Sequence, residues 1–106
     1  MFYIDVPDMN DSISVITIDE KEYGLRFTYN EKNDYWSFGV YDEYEEPIVA
    51  MTKIVSNFPL LEAYSDSRLP DGIFGCISDF KKVSRHSFVK KDAEFVFIPN
   101  AELEDD

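Results

Sequence analysis

The sequence predicts an all-β fold, either a small antiparallel barrel or a sandwich of six to seven strands. Apolar and polar residues alternate along several segments, which is the pattern of a strand with one buried face. Turn-forming residues separate these segments at intervals of about 8 to 12 residues, as in small sandwiches and barrels. No segment keeps the i, i+3, i+4, i+7 apolar spacing of an amphipathic helix over three turns.

The clearest alternation lies in residues 23–29 and continues after a turn in residues 35–41. Five polar, turn-compatible residues at 30–34 separate the two segments, so together they predict a β-hairpin. The large side chains of one phase should form the core face of these two strands. They are Tyr23, Leu25, Phe27 and Tyr29 in the first strand and Trp36, Phe38 and Val40 in the second.

Strands are also predicted on both sides of this hairpin, at Ser12 to Ile18 and at Ile48 to Val55. Residues 19–22 and 42–47 supply the connecting turns, which gives an antiparallel meander over residues 12–55. In the first of these strands the apolar residues change phase between Val15 and Ile16. This change predicts either a β-bulge or burial of both faces.

The second half of the chain begins with an apolar cluster, Phe58-Pro59-Leu60-Leu61, whose proline cannot donate to a sheet. A polar connection over residues 62–72 ends in the turn sequence Pro70-Asp71-Gly72. Strands are predicted at Ile73 to Ser78 and around residues 95–98. We therefore expect one β domain over residues 1–100 and an acidic tail over 101–106.

Charge is unevenly distributed along the 106 residues, whose net charge is −12. Residues 1–80 hold 16 acidic and 5 basic side chains, whereas residues 81–91 hold 5 basic and no acidic ones. The negative field opposes sequence-specific binding to nucleic acid. The basic segment, with Lys81, Lys82 and Arg85, either faces an apposed copy or an acidic partner, or is a solvated loop held near the protein's own carboxylates.

The residue types needed for catalysis are scarce. The one cysteine, Cys76, alternates with Phe74 and is expected to be a small buried side chain, and the one histidine, His86, is expected to be solvated in the basic segment. The acidic turn at residues 42–46 lacks the spacing of a calcium loop and is expected to be a solvated turn. We predict no enzymatic activity, no cofactor and no metal site. Apolar runs of about four residues also predict no membrane span.

The order of the motifs resembles that of the baseplate plug proteins of contractile-tailed phages, the family typified by a cyanophage hub plug. The resemblance covers residues 12–98. It is carried by Tyr35-Trp36-Ser37-Phe38-Gly39-Val40-Tyr41-Asp42, then Pro47-Ile48-Val49 and Ile54-Val55, then Asn57-Phe58-Pro59-Leu60-Leu61, then Leu69-Pro70-Asp71-Gly72-Ile73-Phe74, and finally Phe95-Val96-Phe97-Ile98.

The resemblance implies a non-enzymatic structural component of the tail baseplate. Such a protein would be made in the host cytoplasm and carried in the virion, in several copies, where it would plug the distal end of the tail tube by binding hub and spike proteins. The expected contact residues are the apolar cluster Phe58, Pro59, Leu60 and Leu61, the turn residues Leu69, Pro70 and Gly72, and the basic residues Lys81, Lys82 and Arg85. The apolar cluster is otherwise a core plug beneath a long loop.

Two other classes of protein stay open. A DNA-mimicking inhibitor encoded by a phage would line one face with carboxylates and keep residues 81–91 away from that face. A carbohydrate-binding or protein-binding module would expose Trp36 or a cluster of tyrosines.

Overall fold

The computed structural model describes residues 1–57, 59–60 and 68–103. Within these residues, eight strands form two antiparallel sheets of four strands each, and one helical turn follows the last strand. The elements are β1 (Phe2–Ile4), β2 (Asp11–Ile18), β3 (Lys21–Asn30), β4 (Tyr35–Tyr41), β5 (Pro47–Lys53), β6 (Pro59–Leu60), β7 (Gly72–Ser78), β8 (Ala93–Pro99) and α1 (Asn100–Leu103).

The second sheet is the predicted meander, with strand order β2-β3-β4-β5, and the first sheet has the order β1-β8-β7-β6. No strand pairing within the described residues joins the two sheets, so the fold is a sandwich rather than a barrel. The all-β prediction is confirmed, and seven of the strands have three or more residues. The short strand β1 was not predicted, because three residues are too few to show an alternation.

The core lies between the sheets and consists largely of aromatic rings. Phe27 and Phe38 of the second sheet pack against Phe95 of the first, with ring centroids 5.1 and 5.0 Å apart. Phe38 also contacts Phe74, at 5.8 Å. The predicted core positions Tyr23, Leu25, Trp36 and Val40 are buried as well. Edge-to-face rings of this kind interlock the two sheets and hold them in one fixed arrangement.

The hairpin between β2 and β3 turns through only two residues, Asp19 and Glu20, since Ile18 pairs directly with Lys21. Both turn residues have positive φ, 52° and 65°, as a type I′ turn requires. The turn therefore places two carboxylates at one tip of the sandwich.

Strand β2 differs from its prediction. A bulge or two-sided burial was expected from the change of phase, and both are wrong. The pairing with β3 runs without interruption from Asp11 to Ile18, and Ile13 and Val15 are 65% and 69% exposed. Ile16 and Ile18 face the core instead. The irregular pairing of this sheet lies between β4 and β5, where the register shifts after Phe38.

The chain leaves β8 through α1, in which the Glu102 carboxylate lies 2.5 Å from the N-terminal ammonium of Met1. This helical turn was not predicted. Residues 104–106 lie outside the described residues, so the acidic tail stays a prediction. In the described part of the chain, no helix has the length and apolar character needed to cross a bilayer.

Candidate interaction surfaces

Residues 79–92, here called the basic loop, are anchored to the core through the one tryptophan. The indole Nε1 of Trp36 donates a hydrogen bond to the carbonyl oxygen of Ser84, at 2.9 Å. The ring of Phe88 packs against Trp36 with centroids 5.7 Å apart, and Val83 is buried beside the core. The loop is therefore part of the folded body rather than a free appendage.

The cations of the basic loop lie close to carboxylates of the same chain. Arg85 Nη1 lies 2.7 Å from Asp8 Oδ1, and its guanidinium is 5.6 Å from the centre of the Trp36 ring. Lys82 Nζ is 2.8 Å from Asp34 Oδ2, and Lys91 Nζ is 4.0 Å from Asp5. Of the two alternatives left open for this segment, these contacts favour a loop held by the protein's own carboxylates.

Asp34 joins the basic loop to the turn between β3 and β4. Its carboxylate accepts hydrogen bonds from the Tyr29 hydroxyl and from Ser84 Oγ, in addition to its contact with Lys82. Lys82 and then Tyr29 hold the pKa of Asp34 below its ordinary value. The same contact with Asp34 raises the pKa of the Tyr29 hydroxyl.

The predicted contact residues that the structure describes differ in how exposed they are. Lys81 is exposed, whereas Lys82 and Arg85 are engaged as described above. Leu69 packs against the core, Pro70 is buried, and a Cβ added at Gly72 would lie 2.4 Å from the carbonyl oxygen of Ile98.

The apolar cluster is described only in part. The backbone of Pro59 and Leu60 forms β6, which pairs with Gly75 and Phe74 of β7. Phe58 and Leu61 lie outside the described residues. A contact role for these residues, and for the turn and basic residues named with them, stays a prediction.

The outer face of the second sheet carries exposed apolar residues of β2, for which no interface was predicted. Ile13 and Val15 border a hollow of about 350 Å³ with Gly24 and Tyr41. Four carboxylates also line this hollow, those of Glu22, Asp42, Glu43 and Glu45. We refer to this region as the acidic hollow. The signal in the sequence was the presence of apolar residues in both phases of β2, which predicted a bulge or two-sided burial rather than an exposed surface.

The side chains considered for catalysis or sugar binding lie in different surroundings. Cys76 is 2% exposed, and burial raises the pKa of its thiol to about 11. His86 is exposed in the basic loop. Trp36 is 1% exposed, so it offers no open ring for stacking on a sugar. No group of three or more His, Cys, Asp or Glu side chains within the described ranges is placed to hold a metal ion.

A rigid β-sandwich with two differently charged outer regions is the architecture of a structural or interaction domain. The chain matches the family model described as "Cyanophage baseplate Pam3 plug gp18" over residues 1–100, and it belongs to that family of phage baseplate plug proteins. The family named from the sequence is thus confirmed. Comparison with curated proteins found no similar sequence.

Proposed function

We propose that this protein is a non-enzymatic structural component of a contractile phage tail baseplate, where it plugs the distal end of the tail tube by binding hub and spike proteins. The observation that carries the proposal is the family match, which spans residues 1–100 and thus nearly the whole chain. The protein would be made in the host cytoplasm, would reside in the virion and would be present there as several copies.

The physical properties of the sandwich suit this task. A seal at the end of a tube has to keep its shape under load, and a core of interlocked rings resists deformation because it has no alternative packing of similar energy. Sheet edges and outer faces can bind neighbours without any change in this core. A structural role needs surfaces of this kind and needs no reactive pocket.

The placement of the potential nucleophile also supports a role without catalysis. A cysteine acts as a nucleophile through its thiolate, and a thiol with a pKa of about 11 is almost entirely protonated at neutral pH. Cys76 also faces the core from β7, where a substrate has no access.

The proposal is tested by mixing the purified chain with the hub and spike proteins of the same particle. The mass of the mixture is then measured by size-exclusion chromatography with light scattering. We expect a complex with at least one of the two, containing more than one copy of the chain. If neither partner forms a complex and the chain instead blocks a DNA-cleaving enzyme, the inhibitor hypothesis replaces this one.

A further inference from the structure

Strand β2 has one hydrogen-bonded neighbour, β3, and its opposite edge pairs with no strand in the described part of the chain. The amide of Tyr29 donates to the carbonyl oxygen of Asn10, which lies directly opposite it, at 2.8 Å. Bonded and non-bonded pairs alternate along an antiparallel ladder. The backbone N–H and C=O groups of Ile13 and Val15 therefore point away from β3, toward the free edge.

The other three sheet edges carry features that discourage the addition of a strand. Strand β1 has three residues, β6 begins with Pro59, and the pairing of β5 contains register shifts and ends at Lys53. Strand β2 has eight residues in regular register and contains neither lysine nor proline. A long, regular, apolar edge of this kind is a template for pairing with another chain.

Open space lies on both sides of this edge. On the inner side, a groove of about 360 Å³ separates β2 from β1 and is lined by Ile4, Ile16 and Ile18 among others. On the outer side lies the acidic hollow, which stays open partly because residue 24 is a glycine. A Cβ at position 24 would contact Tyr41 Cβ at 3.4 Å and Ile13 Cγ2 at 3.9 Å.

The charges around the outer side indicate which kind of occupant fits. Glu22, Glu43 and Glu45 of the acidic hollow make no ion pair with any described residue. A second copy presenting the same edge would bring its own carboxylates toward these, which is unfavourable. An occupant with lysine or arginine beside an apolar segment would neutralise them instead.

We propose that the free edge of β2 binds an extended segment of a different protein chain, which adds to the second sheet as a fifth strand. The segment has alternating apolar side chains, which enter the hollow and the groove, and flanking Lys or Arg residues, which face the carboxylates of the acidic hollow. This inference rests on the proposed function, because it assigns the contact by which the plug holds a neighbouring baseplate protein.

The probe is a fluorescent ten-residue peptide with alternating valine and threonine in the middle and two arginines at each end. Its binding to the full-length chain is followed by fluorescence anisotropy at physiological salt. The control peptide has the same sequence with N-methyl groups on its central residues, which removes backbone donors without changing the charge. We expect the parent peptide to bind and the methylated one to bind roughly tenfold more weakly or worse. Equal binding of the two peptides would overturn the proposal.

The matched protein variants are Val15→Pro and Val15→Thr. Proline removes an N–H that β3 does not use, whereas threonine keeps that N–H and the branched shape. We expect Val15→Pro to weaken peptide binding by roughly tenfold and Val15→Thr to change it by less than about threefold. Fluorescence of Trp36 checks that both variants are folded. A folded Val15→Pro variant that binds like the wild type would contradict strand addition.

The role of the carboxylates in the acidic hollow is tested by the double variant Glu22→Lys with Glu43→Lys. The control, Asp79→Lys with Glu94→Lys, makes the same change in net charge away from the hollow. We expect the first pair to weaken binding by roughly three- to tenfold more than the control pair. Equal effects would mean that only the total charge matters and would remove the hollow from the proposal.

Three further outcomes bear on this inference, and the last two separate it from the proposed function. A dimer of the chain alone that dissociates in the Val15→Pro variant would assign the edge to a second copy, against the proposal. If the hub complex forms equally well with Val15→Pro, the proposed function stands and the inference fails. If the peptide binds as expected but neither hub nor spike does, strand addition at the edge of β2 stands, whereas the proposed function and the assignment of this edge to a baseplate neighbour fail.

Discussion

The basic loop holds predicted contact residues and the outer edge of β2 holds none, yet the fold leaves the edge of β2 the more available of the two. The loop carries five basic side chains, but Arg85 and Lys82 lie against Asp8 and Asp34, and Trp36 holds the loop to the core. The edge of β2 borders the acidic hollow, and its residues Ile13 and Val15 remain open to solvent. Which groups are available to a partner depends on what the chain's own contacts have already used.

The comparison predicts that substitutions at the anchor of the basic loop act on stability. Trp36→Ala should lower the free energy of unfolding by about 3 to 5 kcal/mol, since a fully buried ring and its hydrogen bond to Ser84 are lost. Urea unfolding followed by circular dichroism measures this loss. As a control, Tyr44→Ala removes a ring that is 78% exposed and should change stability by less than about 0.5 kcal/mol. A loss below about 1 kcal/mol for Trp36→Ala would mean that the loop does not depend on the indole.

A smaller loss of stability is expected for Arg85→Ala. This substitution removes the contact with Asp8 and the guanidinium above the Trp36 ring, which together should cost about 1 to 2 kcal/mol. Thermal unfolding of the variant tests this value. Lys90→Ala serves as the control, since Lys90 is exposed and makes no ion pair with a described residue. If both variants unfold at the same temperature, the basic loop is solvated rather than held by ion pairs with carboxylates of the same chain.

The attachment of the basic loop should also depend on pH. The folded pKa of Asp34 is lowered, chiefly by Lys82, so its contribution to stability is fully present above the unfolded value of about 4 and is lost as the pH falls through the folded value. Acid titration followed by Trp36 emission should show the loop loosening at that point. Asp34→Asn should flatten this response, and Glu94→Gln should leave it unchanged. If the change in Trp36 emission persists in Asp34→Asn, a group other than Asp34 causes it.

The smallest effect on stability is expected at the edge of β2. Ile13→Thr and Val15→Thr should each change the free energy of unfolding by less than about 0.5 kcal/mol, because both side chains are already exposed in the folded state. Ile18→Thr on the same strand is the contrast, since it buries a hydroxyl group and should cost about 1 to 3 kcal/mol. Urea unfolding compares the three variants. A loss above about 1 kcal/mol at Ile13 or Val15 would show that this face is packed rather than free.

The strands of the meander and most of their pairings could be predicted from the sequence. The reason is that the alternation in β3 and β4 indicates directly which side chains are buried. This alternation predicts that Trp36 and Phe38 lie in the core, and the alternation of Cys76 with Phe74 in β7 predicts the same for Cys76. The burial of all three side chains confirms it. The exposed apolar residues of β2 were harder to predict. Exposure of an apolar residue leaves no periodic signal of its own, so the change of phase at Val15 and Ile16 predicted a bulge or burial of both faces instead.

The class of fold, the meander and the family could be predicted from the sequence, because they depend on local periodicity and on the order of motifs along the chain. The folded chain was needed to show that the sheets form a sandwich, that Arg85 meets Asp8 across 77 residues of chain, and that the outer edge of β2 pairs with no strand among the described residues. The reason is physical: whether a charge is paired or an edge covered depends on groups distant in sequence, and packing alone brings those groups together.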